Sequence, residues 1–175
     1  AQGTALHSLS LPLLAIVLTG EQQGYLEPCG CSEKQSGGLA RRTDFVQQLE
    51  ARGWPVTGFD LGGTLKRNRR QSEMKFEYTR SALDIMGYKG LGLGPEELKL
   101  GVLKLFESYS KTQNDESFDV PFISANVTFF GTRDVGTPLQ YRVFEIAGVK
   151  VGVTSVLGET FQKEMFAEGL EPDPS

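Results

Sequence analysis

Apolar positions along the chain fall into short runs with two periodicities, one of sheet and one of helix. Residues 11–19 are a continuous apolar run without alternation, the pattern of a central strand buried on both faces. A glycine-rich loop follows over 20–38. Residues 39–52 then read as a helix, because Arg42, Phe45, Val46 and Leu49 recur at helical spacing and Gly53 and Pro55 mark its end. Residues 56–61 give a second strand, and 62–70 a loop that is first glycine-rich and then basic. Residues 72–86 predict a second helix, with Thr79, Ala82, Leu83 and Met86 on one face and Gly87 as its stop.

The same alternation of elements continues. Residues 90–93 predict a short strand. Pro95 suits the first turn of a helix, and Glu96 and Glu97 suit the positive end of its dipole. Leu98, Val102, Leu105, Phe106 and Tyr109 extend that helix as one stripe, and 111–117 is a polar loop. Another strand is expected over 120–127. Segments 141–147 and 149–156 alternate on either side of Gly148 and read as a hairpin. Residues 1–10 read as a leader and 168–175 as a flexible tail, which leaves 11–167 as one domain. Strand, helix, strand, helix, strand, helix and then strands predict an α/β fold, a parallel sheet extended by antiparallel strands and flanked by helices.

Composition narrows the possible functions. The chain has 175 residues, a net charge of -4 and a pI near 5.1. That balance argues against general nucleic-acid binding, which needs a strong positive field. No stretch reaches the roughly 18 to 20 apolar residues that span a bilayer. The run at 9–18 lacks a basic flank and a small-residue cleavage site, so it reads as a strand rather than a signal peptide. The chain starts at Ala1-Gln2 without an initiator Met, as expected of a mature exported protein or a trimmed chain.

Two cysteines, Cys29 and Cys31, flank Gly30, and His7 is the one histidine. Cysteines this close do not form a disulfide framework between distant segments. Four readings of the pair stay open. Two thiolates could bind a soft metal with further ligands from a partner chain. They could cycle through a strained, easily reduced disulfide. They could pair with another chain, or pack as small buried thiols. Lys66-Arg67-Asn68-Arg69-Arg70 is a compact basic run that reads either as an anion-capture or docking element or as a solvated loop. Gly37-Gly38 ahead of a helix could cradle an anion but lacks the lysine-serine pair of a P-loop, and a structural turn is the plainer reading. Asn126-Val127-Thr128 fits the glycosylation pattern at a strand end.

Three segments, taken in order, carry a resemblance: 16–26 with Gly37-Gly38-Leu39-Ala40-Arg41-Arg42, then 58–65, then 86–97. Together they resemble the calcineurin-like metallophosphoesterases, in particular the secreted 5'-nucleotidase branch. Pro121-Phe122-Ile123-Ser124-Ala125-Asn126-Val127 and Gly148-Val149-Lys150-Val151-Gly152-Val153 are weaker echoes, so the likeness runs over about 12–157. It extends to the loop Glu27-Pro28-Cys29-Gly30-Cys31, similar to one in related bacterial phosphoesterase-like proteins. The resemblance implies the first lobe of a metallophosphoesterase-like sandwich, with a mixed sheet flanked by helices. It also implies a two-metal site that activates water and clamps a phosphate.

Residue by residue, the ligand set departs from that pattern. The family's first acid and histidine fall at Glu21 and Gln23, its bridging aspartate at Gly63, and its asparagine and histidine at Pro95 and Glu96. What remains for a hard divalent cation is an oxygen set of Glu21, Asp60, Glu96 and Asn126, for which ordinary strand-end and cap residues are the plainer reading. The expectation is therefore an exported, periplasmic or extracellular phosphoesterase-like module that is non-catalytic and works by binding or assembly. Cys29 and Cys31 are its expected site, no cofactor is required by the motifs present, and a protein partner or a second copy is expected to cover the incomplete lobe. The alternatives are a metal-dependent phosphoesterase completed by a further C-terminal part or partner, and a thiol-redox or metal-relay protein.

Overall fold

The structure, a computed structural model, describes residues 11–28, 37–66, 70–112 and 118–167, leaving aside the side chains of residues 70 and 164–167. In chain order the elements are β1 (Ala15–Thr19), α1 (Leu39–Glu50), β2 (Val56–Asp60), α2 (Arg70–Ile85), β3 (Tyr88–Gly92), α3 (Pro95–Leu98), α4 (Val102–Thr112), β4 (Phe122–Ile123), β5 (Arg142–Ile146), β6 (Val149–Val153) and α5 (Glu159–Ala167). Strands β1 to β4 form a parallel sheet in the order β1-β2-β3-β4. Spatial order equals chain order, so each crossover steps one strand in the same direction. All four strands therefore end on one edge, where the connecting loops gather.

One face of this sheet carries the main core. Phe76 and Leu83 of α2 and Leu105 of α4 share a buried cluster with Tyr88, Leu91 and Phe122. Into this apolar layer α2 also inserts Arg80, which is 2% exposed. Its guanidinium lies 4.8 Å and 4.6 Å from the ring centres of Phe118 and Phe122, and it donates to the carbonyl and hydroxyl oxygens of Ser108. Burial lowers its pKa to about 10, still well above neutral, so the charge is kept and held by π faces and Ser108.

The opposite face is only partly covered. Strands β5 and β6 pair antiparallel around Ala147-Gly148, both at positive φ, as a tight hairpin turn requires. Phe144 of this hairpin packs on Phe59 of β2, ring centres 5.7 Å apart. Arg142 locks the hairpin down. It donates to the backbone carbonyls of Lys89 and Asp119 at 3.1 Å and 2.9 Å and pairs with the Asp119 carboxylate, which Lys89 also reaches at 2.6 Å.

Several expectations need correction. The run at 11–19 is not a strand buried on both faces. Only Ala15–Thr19 is strand, with one side neighbour, and Ile16 and Leu18 are 48% and 65% exposed. They sit beside Thr57 and Phe59 in the register, so the uncovered area is the β1 side of the hairpin-bearing face. The stripe from Pro95 to Tyr109 is two helices rather than one, because Gly101 takes φ 90° and breaks it. The strand over 120–127 shrinks to Phe122–Ile123, with Pro121 before it and the Ser124 N–H bonded to the Leu139 carbonyl. The hairpin does not extend the parallel sheet but forms its own. Helix α5 was not anticipated. Among the described residues no helix is long and apolar enough to cross a membrane.

Burial works to raise the Asp119 carboxyl, but the hydrogen bonds and charges of Lys89 and Arg142 outweigh it and leave it below its ordinary value. Its stabilisation is therefore present above the unfolded-state value of about 3.9 and lost as pH falls through the folded one. Urea unfolding from about pH 6 to about pH 2.5 should show wild type losing its advantage over Asp119→Asn only in the acid limb. A constant difference between the two proteins would disprove the linkage.

Candidate functional site

At the carboxyl edge of the sheet, where α/β proteins place their sites, one buried carboxylate organises the loops. Glu97 is 0% exposed and occupies the third position of α3. One of its oxygens accepts from the N–H and hydroxyl of Thr64 at 2.7 Å and 2.5 Å. The other accepts from the N–H groups of Gly63 and Gly94 at 3.0 Å and 2.9 Å. Burial pushes its carboxyl above the ordinary range, and these four donors pull the other way. The loop after β2 is thereby tied to the start of α3.

That loop in turn holds the one after β1. The N–H groups of Glu21, Gln23 and Gly24 donate to the carbonyls of Gly62, Gly63 and Thr64 at 2.9, 2.8 and 2.7 Å. Glu21 and Gln23 adopt φ of 53° and 51°, a left-handed backbone unusual for side-chain-bearing residues and often seen at functional sites. Space here is minimal. A Cβ at Gly62 would lie 2.7 Å from the Gly94 nitrogen, and one at Gly63 would lie 2.7 Å from a Glu21 carboxylate oxygen and 3.0 Å from its Cα.

Between these loops and the end of the hairpin lies an open cleft of about 450 Å³. Glu21 and Glu96 line it, with Leu61, Pro95, Val156 and Phe161 among its apolar walls. The structure thus brings two of the four proposed oxygen ligands to one cleft. It turns the other two elsewhere. Asp60 is buried on the α1 side, where it pairs with Arg42 at 3.0 Å and accepts the Thr19 hydroxyl at 2.6 Å and the Gly62 N–H at 3.0 Å. Asn126 spends both ends of its amide on Leu157, with its nitrogen 2.9 Å from the carbonyl oxygen and its oxygen 2.9 Å from the backbone nitrogen.

This donor set does not fit the two-metal centre that the sequence resemblance implies. Among the described residues no three His, Cys, Asp or Glu side chains converge. Gly63, where the resemblance puts the bridging aspartate, leaves no room for a side chain, and Pro95 offers no side-chain ligand atom. Cys29, Cys31 and His7 lie outside the described residues, as do residues 67–69 of the basic run. The segment bearing the cysteines is flanked by a closed base. Leu39 N–H donates to the Leu26 carbonyl at 2.8 Å, and a Cβ at Gly38 would touch Pro28 at 2.8 Å.

Glu97 and Arg42 were not read from the sequence as organising residues. For Glu97 a signal existed, since Gly94-Pro95-Glu96-Glu97 places a glutamate at the third helical position, where it bonds back to the residue before the helix. No comparable local signal marked Arg42, whose partners are 18 and 23 residues away.

No sequence-family profile matches the chain, and no curated protein matches it in sequence. Solved structures do match. A 5'-nucleotidase precursor from Thermus thermophilus superposes with a TM-score of 0.64 at 21% identity, over 90% of this chain and 35% of that one. The sulfate thiohydrolase SoxB of the same genus gives 0.65 at 16% identity over 95% and 40%. The NAD nucleotidase NadN of Haemophilus influenzae gives 0.55 at 16% identity over 90% and 32%. The fold is therefore that of a calcineurin-like metallophosphoesterase N-terminal lobe. Within that class its likeness is to 5'-nucleotidase-type structures, of whose length the chain spans about a third.

Replacing Glu97 by Gln puts an amide nitrogen against two N–H donors. Glu97→Gln should destabilise the protein by roughly 2 to 4 kcal/mol in urea unfolding, the range for unsatisfied buried donors. A loss below about 0.5 kcal/mol would show that the loops hold without it.

Proposed function

We propose that the chain is an exported module of phosphoesterase fold that works by binding or assembly rather than by metal-dependent hydrolysis. The segment bearing Cys29 and Cys31 is its working site. The observation that carries this reading is the donor set at the cleft. Two carboxylates face it, while the positions that should complete a metal pair hold glycine and proline or are turned into structural bonds. Two-metal hydrolysis needs both ions clamped on the reacting phosphate.

Two further features support the proposal. The closed base at Leu26, Pro28, Gly38 and Leu39, which flanks the cysteine segment in the sequence, lies at the sheet edge where sites of this architecture gather. Exposed Ile16 and Leu18, next to the covered Phe59, favour a protein partner or second copy on that side of the sheet. The competing reading, a phosphoesterase completed by a further C-terminal part or a partner, draws on the two carboxylates that still face one cleft and on the chain's partial coverage of its structural relatives.

Purified chain assayed with p-nitrophenyl phosphate in the presence of manganese or zinc should give no turnover above buffer. Turnover abolished by a chelator would overturn the non-catalytic reading. For the cysteine segment, wild type should exceed a Cys29→Ser/Cys31→Ser variant in bound metal or in thiol reactivity. Equal values in both measurements would remove the segment as the working site.

A further inference from the structure

A second concavity, beside the cleft but with different chemistry, lies between the loop after β1 and the first turns of α2. It encloses about 260 Å³, and its lining includes Gln23, Tyr25, Lys66, Gln71, Ser72 and Lys75. Among the described residues no acidic one lines it. Lys75, half-buried, donates one N–H to the Gly24 carbonyl at 2.9 Å. Lys66 sits 5.5 Å from the Tyr25 ring centre, with its ammonium 3.4 Å from the Tyr25 hydroxyl.

The charge balance of these two lysines differs from that of others in the chain. Lys89, Lys104, Lys111 and Lys163 each face a carboxylate within 4 Å. Lys66 and Lys75 have none among the described residues, although the chain carries a net charge of -4. Lys66 is exposed and Lys75 half-buried, and an anion held between two like charges at the rim of one hollow is attracted by both. Gln71 and Ser72 belong to the first turn of α2, whose dipole adds to the positive field. Glu21, an acid of the cleft, is engaged by the Gln23 amide at 3.3 Å.

We propose that this hollow binds a small oxyanion, a phosphate or the phosphoryl group of a phosphomonoester, with Lys66 and Lys75 as the charged contacts. Its volume suits such a group with a few attached atoms rather than a whole nucleotide, since sites for larger ligands occupy about 300 Å³ or more. The assignment uses none of the cleft or cysteine residues, so it stands or falls apart from the function proposed above.

Backbone NMR titration of the purified chain with inorganic phosphate, at constant ionic strength, tests it. Saturable shifts should centre on Gly24, Lys66, Gln71, Ser72 and Lys75. Lys66→Gln and Lys75→Gln should each weaken binding about fivefold or more, which corresponds to roughly 1 kcal/mol. Lys75→Arg keeps the charge and should retain binding, which separates loss of charge from disturbance of the Gly24 contact. Lys104→Gln, on the other side of α2, should leave affinity unchanged. Shifts reproduced by chloride, or phosphate affinity untouched by both glutamine variants, would overturn the site. Binding to phosphatidylglycerol vesicles that phosphate does not displace would overturn its assignment to a small anion.

Discussion

The carboxyl edge of this protein depends on a single desolvated carboxylate. Glu97 makes no contact with solvent, yet it gathers donors from two loops and, through Gly63 and Thr64, fixes a third. Sheet pairing alone sets the strands side by side. It does not say where their ends go, and a glycine-rich edge has many alternatives of similar energy. Concentrating four hydrogen bonds on one buried group selects among them. The local arrangement is therefore cooperative, and loss of the acceptor would strand several donors together.

Much of the architecture could be read from the chain because the parallel sheet alternates with amphipathic helices, each pattern recurring at its own period. The β1 error is instructive. An unbroken apolar run reports that both sides of a strand are apolar, not that both are covered, and Ile16 and Leu18 show the difference. The α3–α4 break turned on the left-handed conformation of one glycine, Gly101, which an apolar stripe passes over. At the edge, Glu21 and Glu96 could be placed together from the order of motifs. Asp60 could not, because its direction is decided by Arg42 and Thr19 on other elements.

The chain shares its fold with 5'-nucleotidase-type structures, and the likeness is one of backbone frame. The loop after β1 takes left-handed turns at Glu21 and Gln23, and the loops interlock by backbone bonds. Buried structural bonds occupy Asp60 and Asn126 here, and Gly63 and Pro95 stand where the sequence resemblance leads one to expect ligands. Frame and chemistry are thus separable, since backbone hydrogen bonds do not require the side chains a metal would need.

The closed base at Leu26 and Leu39 has a consequence for how sequence can vary. A loop's main entropic cost is the joining of its ends, and it grows only slowly with length. Here the folded core joins them, through a backbone bond and the contact of Pro28 with Gly38. Added length between those anchors therefore costs little further closure entropy. The interval between Pro28 and Gly38 can change in length while its two ends stay joined.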